Sequence, residues 1–119
     1  MKILVVDDEW TIREMIADFL TGFGEVNMAA DGLEALEMIK EAGGFDAVFT
    51  DQTMPRLCGA DLVREIKKIF PKTYVVLASG DQREELLRKG KEAGADKILF
   101  KPFPFQELKA AIEEAAAKM

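Results

Sequence analysis

Five short apolar runs, each with its hydrophobic residues in succession and not in alternation, constrain this chain more than any other feature. They lie at Ile3 to Val6, Ala47 to Phe49, Tyr74 to Ala78 and Ile98 to Phe100, with a weaker fifth at Val26 to Ala30. Unbroken apolar runs are what strands need when both faces of their sheet are covered. Between them the apolar period becomes helical. Ile12, Met15, Ile16, Phe19 and Leu20 share one face, followed by Leu33, Leu36 and Ile39, and then by Leu62, Val63, Ile66 and Phe70. Leu86, Leu87 and Ala93 form the fourth stripe; Phe105, Leu108 and Ile112 form the fifth. Thr11 to Glu14, Asp31 to Glu34 and Asp81 to Glu84 read as capping boxes or their Asp variant, and Gly22, Gly43 and Gly94 fall where helices should stop. Strand and helix thus alternate five times. Right-handed crossovers then predict an α/β fold, (βα)5, with a doubly wound parallel sheet.

A length of 119 residues fits one domain over residues 1–119, large enough to bury its own core. No apolar run approaches the roughly 20 residues of a membrane span, and no signal peptide is expected. The single Cys58 cannot form an internal disulfide, so a reducing cytoplasm is expected. A net charge of -6 argues against a nucleic-acid surface. The absence of histidine excludes Ser-His-Asp chemistry, histidine-bearing zinc sites and a histidine phosphate carrier in this chain. Any chemistry must therefore run on carboxylates, hydroxyls and lysines.

The strand ends supply such groups. The first run stops at Asp7-Asp8-Glu9, the third at Thr50-Asp51, the fourth at Ser79-Gly80 and the fifth at Lys101-Pro102. In a parallel sheet these are one edge, and ligands of open α/β sheets collect there, where strand order reverses. If the first and third strands are neighbours, about 4.8 Å apart, Asp8 and Asp51 come together, with Ser79 and Lys101 beyond. Two carboxylates roughly 5 Å apart repel by about 3 kcal/mol at an effective dielectric near 20. Such a pair needs open solvent or a cation. Each residue alone also has an ordinary explanation: acids before a helix cap it, Asp51 suits a turn, Ser79 suits a loop, and Lys101 suits a solvated surface. Placing all four on one edge by accident is much harder. A hard divalent cation, Mg²⁺ or Mn²⁺, bound between Asp8 and Asp51 relieves the repulsion. Asp51 is then expected to accept a phosphoryl group whose oxygens are held by the cation, Lys101 and the Ser79 hydroxyl.

The motifs VVDDE, DQTMPRLCG with its D-x-x-M-P and Gly59, LASGD and GADKILFKPF resemble the receiver domain of response regulators in bacterial two-component signalling. The resemblance covers essentially the whole chain. It implies strand order 2-1-3-4-5, a flavodoxin-like arrangement, with Asp51 as phosphorylation site, Asp7 and Asp8 as the acid pair, and Thr53 lending a backbone carbonyl to the metal. It also implies Ser79 as switch hydroxyl, Lys101 as the phosphate-contacting lysine, and output through helix four, strand five and helix five. Asp81, Ile98, Trp10 and Pro102 are modulating positions. Lys101-Pro102 is expected to be cis, since the cis form costs only about 0.5 to 1 kcal/mol before proline.

Three positions depart from the common pattern. Ile98 replaces an aromatic, Trp10 stands where proline is frequent, and Cys58 replaces a frequent acid. An aromatic rotamer switch is therefore not expected, and Trp10 is either a docking ring or a packing residue. The expected partners are a sensor histidine kinase or phosphotransfer protein and a downstream protein target, without nucleic acid or membrane. The chain itself is expected to be a monomer or weak homodimer, and not an enzyme beyond self-catalysed phosphorylation and dephosphorylation. Two other classes compete. An aspartyl-phosphate hydrolase of the haloacid-dehalogenase type needs acids separated by one residue and a cap, for which this chain has no room. A receiver-like interaction module that never turns over phosphate is opposed by intact Asp51, Ser79 and Lys101.

Overall fold

The structure, a computed structural model, describes residues 1–80 and 84–119, the side chains at 84 and 86 excepted. The expected Asp81 to Glu84 cap and the Leu86 position on the fourth stripe fall outside the described residues.

The strands are β1 (Lys2–Val6), β2 (Glu25–Ala29), β3 (Ala47–Asp51), β4 (Tyr74–Ser79) and β5 (Lys97–Phe100). The helices are α1 (Trp10–Leu20), α2 (Gly32–Ala42), α3 (Gly59–Ile69), α4 (Glu84–Ala93) and α5 (Phe105–Ala117). All strands pair in parallel in the order β2-β1-β3-β4-β5. Every residue of β3 and β4 is buried, as their unbroken apolar runs require. The edge strand β2 instead carries an exposed Glu25, a charge that discourages pairing with another chain.

Successive residues of each strand serve opposite faces. Ile3, Val5, Phe49, Val76 and Leu99 pack with Ile16 and Leu20 of α1 and with Leu108 and Ile112 of α5. Leu4, Val6, Val48, Val75 and Leu77 pack with Ala35 and Ile39 of α2 and with Leu62, Val63 and Ile66 of α3. Two helices thus cover one face, and α2 and α3 cover the other, joined there by Ala93 at the end of α4. The sheet is doubly wound.

Three sequence expectations need correction. Helix α1 starts at Trp10 with Glu9 as its cap, so Thr11 is inside the helix and caps nothing. The reason is the turn before it, where Asp7 Oδ1 accepts the Glu9 N–H at 2.9 Å and the Glu9 carbonyl accepts the Arg13 N–H at 2.9 Å. Gly22 does fall where α1 stops, just past the Thr21 cap and within a 3-10 turn over Thr21–Phe23. Met15 and Leu33 lie outside the core, at 53% and 39% exposure, and the inner faces of their helices are completed by Ala17 and by Gly32 and Ala35. The other described caps hold. Asp31 accepts the Glu34 N–H at 2.9 Å, and Gly43 ends α2 in the left-handed region at φ 74°.

Candidate functional site

The register decides which groups meet. Val6 of β1 pairs with Thr50 of β3, which sets Asp7, and not Asp8, level with Asp51. Asp8 follows one residue further, on the exposed rim. Asp7 and Asp51 are buried, at 1% and 7% exposure. Each of Asp7, Asp8 and Asp51 offers a carboxylate oxygen within 4.8 Å of the other two. The expected cluster therefore exists, with Asp7 deepest in it.

Lys101 reaches back across the strand ends as expected. Its ammonium lies 3.0 Å from Asp51 Oδ1 and 3.7 Å from Asp7 Oδ2. Its own N–H donates to the Ser79 carbonyl at 2.8 Å, and the Lys101–Pro102 peptide is cis, as expected. Ser79 is buried at the end of β4, beside Phe100 in register. It therefore stands on the same edge as the acids.

The loop between β3 and α3 carries Thr53, which is exposed just past Asp51. Its base is fastened by Gln52. The Gln52 N–H donates to the Ala78 carbonyl at 2.8 Å, its carbonyl accepts the Gly59 N–H at 2.9 Å, and its Oε1 accepts the Ala60 N–H at 2.8 Å. Gly59 permits this closure, because a Cβ there would lie 2.4 Å from the Asp51 carbonyl oxygen. Opposite, the Arg13 guanidinium donates to the Asp7 carbonyl at 2.8 Å and braces the loop that holds the acid pair. Neither Gln52 nor Arg13 stands out in the sequence. Both act on backbone atoms, and the one available signal is a side-chain acceptor shortly before a helix that lacks its own cap, as at Cys58.

The electrostatics are those of an incomplete site. Burial pushes the Asp51 carboxyl above its ordinary range and the Asp7 charge adds to this, outweighing the opposing pull of Lys101. Burial works against the Lys101 ammonium, yet Asp51, Asp7 and Glu9 together raise its pKa. Asp7 Oδ2 is buried without a hydrogen-bond partner among the described residues. A buried carboxylate oxygen in that condition is costly. Three oxygen donors and an unsatisfied lone pair fit a hard divalent cation such as Mg²⁺ or Mn²⁺.

Of the modulating positions, Trp10 is 63% exposed beside the acid pair, so it does not pack over the loop. Ile98 is half-buried against the α2 and α3 face of the sheet, and Asp81 lies outside the described residues. No described helix is long and apolar enough to cross a membrane.

Residues 3–113 match the family described as the response regulator receiver domain. The chain is 36% identical to chemotaxis protein CheY-3 of Vibrio cholerae over 121 residues, covering 96% of this chain and 90% of that one. It is 40% identical to the response regulator MprA of Mycobacterium leprae, covering 94% of this chain and 49% of MprA. The crystal structure of a response regulator receiver domain from Clostridium thermocellum superposes with a TM-score of 0.90 at 38% identity, covering 98% of this chain and 94% of that one. With the strand order, the edge of acids and the lysine already in place, the chain belongs to the response-regulator receiver family of two-component signalling.

Proposed function

We propose that this receiver accepts a phosphoryl group on Asp51 from a phosphorylated histidine kinase or phosphotransfer protein. The observation that carries the reading is the Asp51 carboxylate, half-neutralised by Lys101 at 3.0 Å and crowded by Asp7, whose Oδ2 has no hydrogen-bond partner among the described residues. Asp7, Asp8 and Asp51, with the Thr53 carbonyl, would hold Mg²⁺ or Mn²⁺. Such a cation, when bound, would supply charge neutralisation at the phosphoryl oxygens.

Asp51 attacks phosphorus through one carboxylate oxygen, forming the O–P bond of an acyl phosphate. The N–P bond of the donor phosphohistidine breaks, and its electron pair returns to the imidazole nitrogen. Lys101 contacts one phosphoryl oxygen and Ser79 another. Burial raises Asp51, and the adjacent Lys101 ammonium opposes this and favours the carboxylate, the form that attacks.

The new phosphoryl contacts form in the loops after Asp51 and Ser79, and these bias the α4, β5 and α5 surface toward a downstream protein. With Ile98 in place of a ring, β5 moves less than those loops. Trp10, exposed at the rim, serves as a docking ring for the phosphate donor. Acetyl phosphate with Mg²⁺ tests the central step. Intact-mass analysis should show one added phosphoryl group on the unaltered protein and none on Asp51→Asn. The same addition to both proteins refutes the assignment.

A further inference from the structure

The loop after Asp51 is fastened a second time, far from the chemistry. Arg56 lies in the left-handed region, at φ 71°, where a residue with a side chain is uncommon. Strain of that kind persists only where the surroundings hold it. Here the Arg56 guanidinium meets Asp31 Oδ1 at 2.9 Å, across 25 residues of sequence. The same Asp31 oxygen caps α2 by accepting the Glu34 N–H. Next to this pair the seam is too close for a side chain. A Cβ on Gly32 would sit 2.4 Å from the Leu57 carbonyl oxygen and 2.7 Å from Leu57 Cβ. Thr53 lies between the two fastenings, one residue after Gln52 and three before Arg56.

We propose that Arg56 and Asp31 are positioning residues for the carboxylate pocket: their ion pair latches the Thr53 loop onto α2, and cation binding and latch closure favour one another. This rests on the phosphoryl-acceptor reading, in which Thr53 lends its carbonyl to the metal. Coupling of this kind is reciprocal, so a loop held by α2 binds the cation more tightly, and a bound cation holds α2 more firmly. An ion pair this exposed, 55% at Arg56, limits the effect. The transferable coupling is about two- to fivefold in affinity.

The sign of the effect separates the latch from simple electrostatics. Removing a cation near an acidic pocket should tighten Mg²⁺ binding if only charge matters. Removing the latch should weaken it. Arg56→Gly is the suitable variant, because glycine accepts the left-handed backbone and leaves the fold unstrained. Mg²⁺ titrations followed by the fluorescence of Trp10, the one tryptophan in the chain, should give about two- to fivefold weaker binding in Arg56→Gly. A second reading is amide exchange at Glu34, which Mg²⁺ should slow in the unaltered protein and leave unchanged in Arg56→Gly. Binding as tight as or tighter than in the unaltered protein, with Glu34 still responding, overturns the latch alone. No Mg²⁺ response in the unaltered protein sinks the phosphoryl-acceptor reading and the latch with it.

Discussion

The two edges of the sheet are built from similar residues and treat them differently. At the amino edge, Asp96 Oδ2 accepts from both the Lys67 ammonium and the Val75 N–H, each at 2.8 Å. Lys67 also donates to the Thr73 carbonyl at 2.6 Å, while Asp46 Oδ2 accepts the Lys2 N–H at 2.7 Å. Every one of these charges has a partner at hydrogen-bond distance. At the carboxyl edge, Asp7, Asp8 and Asp51 crowd together, Lys101 serves two of them, and Asp7 Oδ2 lacks a hydrogen bond among the described residues. Cavity size points the wrong way. An open cavity of about 710 Å³ lies at the amino edge, beside Lys2, Phe45, Lys67 and Phe70. Two of its lysines already bond to carbonyls at the ends of α2 and near the end of α3, which is ordinary capping by cations. Polar groups that complete each other hold a fold together; polar groups left incomplete await something else.

Substitutions can break that contrast. The largest effect belongs to Asp51→Asn, which should abolish phosphoryl uptake while the protein stays folded, as mass analysis and circular dichroism together would show. At the amino edge the pattern should invert. Asp96→Ala leaves the Val75 N–H without its side-chain acceptor and takes the carboxylate partner from Lys67, and should cost about 1 to 3 kcal/mol in urea unfolding, with Mg²⁺ affinity unchanged. A shift in Mg²⁺ affinity there would erase the distinction between the edges.

A smaller effect has the opposite sign. Because the folded-state pKa of Asp51 is raised above the ordinary value of 3.8, the folded protein holds that proton more tightly than the unfolded chain, and ionising the group costs stability. Asp51→Asn should therefore be more stable than the unaltered protein at neutral pH. The advantage is full above the folded pKa and fades as pH falls toward the ordinary carboxylate range. Urea midpoints at neutral and acid pH check this; an advantage that grows on acidification contradicts it. The smallest change is expected for Arg64→Ala. Its pair with Asp61, though only 2.7 Å long, is solvent-exposed on α3 and should contribute less than about 0.5 kcal/mol.

Much of this was legible in the sequence because the strands of a covered parallel sheet have no polar face. The runs around Val48 and Val76 needed no alternation to be read, and Asp31 and Gly43 marked α2 through local geometry alone. Met15 and Leu33 misled because a helical stripe gives a direction without saying how wide the covered strip is. Thr11 misled for a different reason: the turn at Asp7 and Glu9 caps α1 at Glu9, two residues earlier. In the site, the acids, Ser79 and Lys101 could be found as strand ends. That Asp7 lies level with Asp51 depends on the register between β1 and β3, and the roles of Gln52, Arg13 and Arg56 depend on atoms brought close only by the fold.

The central claim is that the carboxyl edge is an incomplete site and the amino edge a complete one, and calorimetric titration with Mg²⁺ tests it most directly. The account predicts one Mg²⁺ per chain, binding sharply weakened in Asp8→Asn and unaltered in Asp96→Asn. Binding that survives Asp8→Asn, or that falls equally in Asp96→Asn, would contradict it.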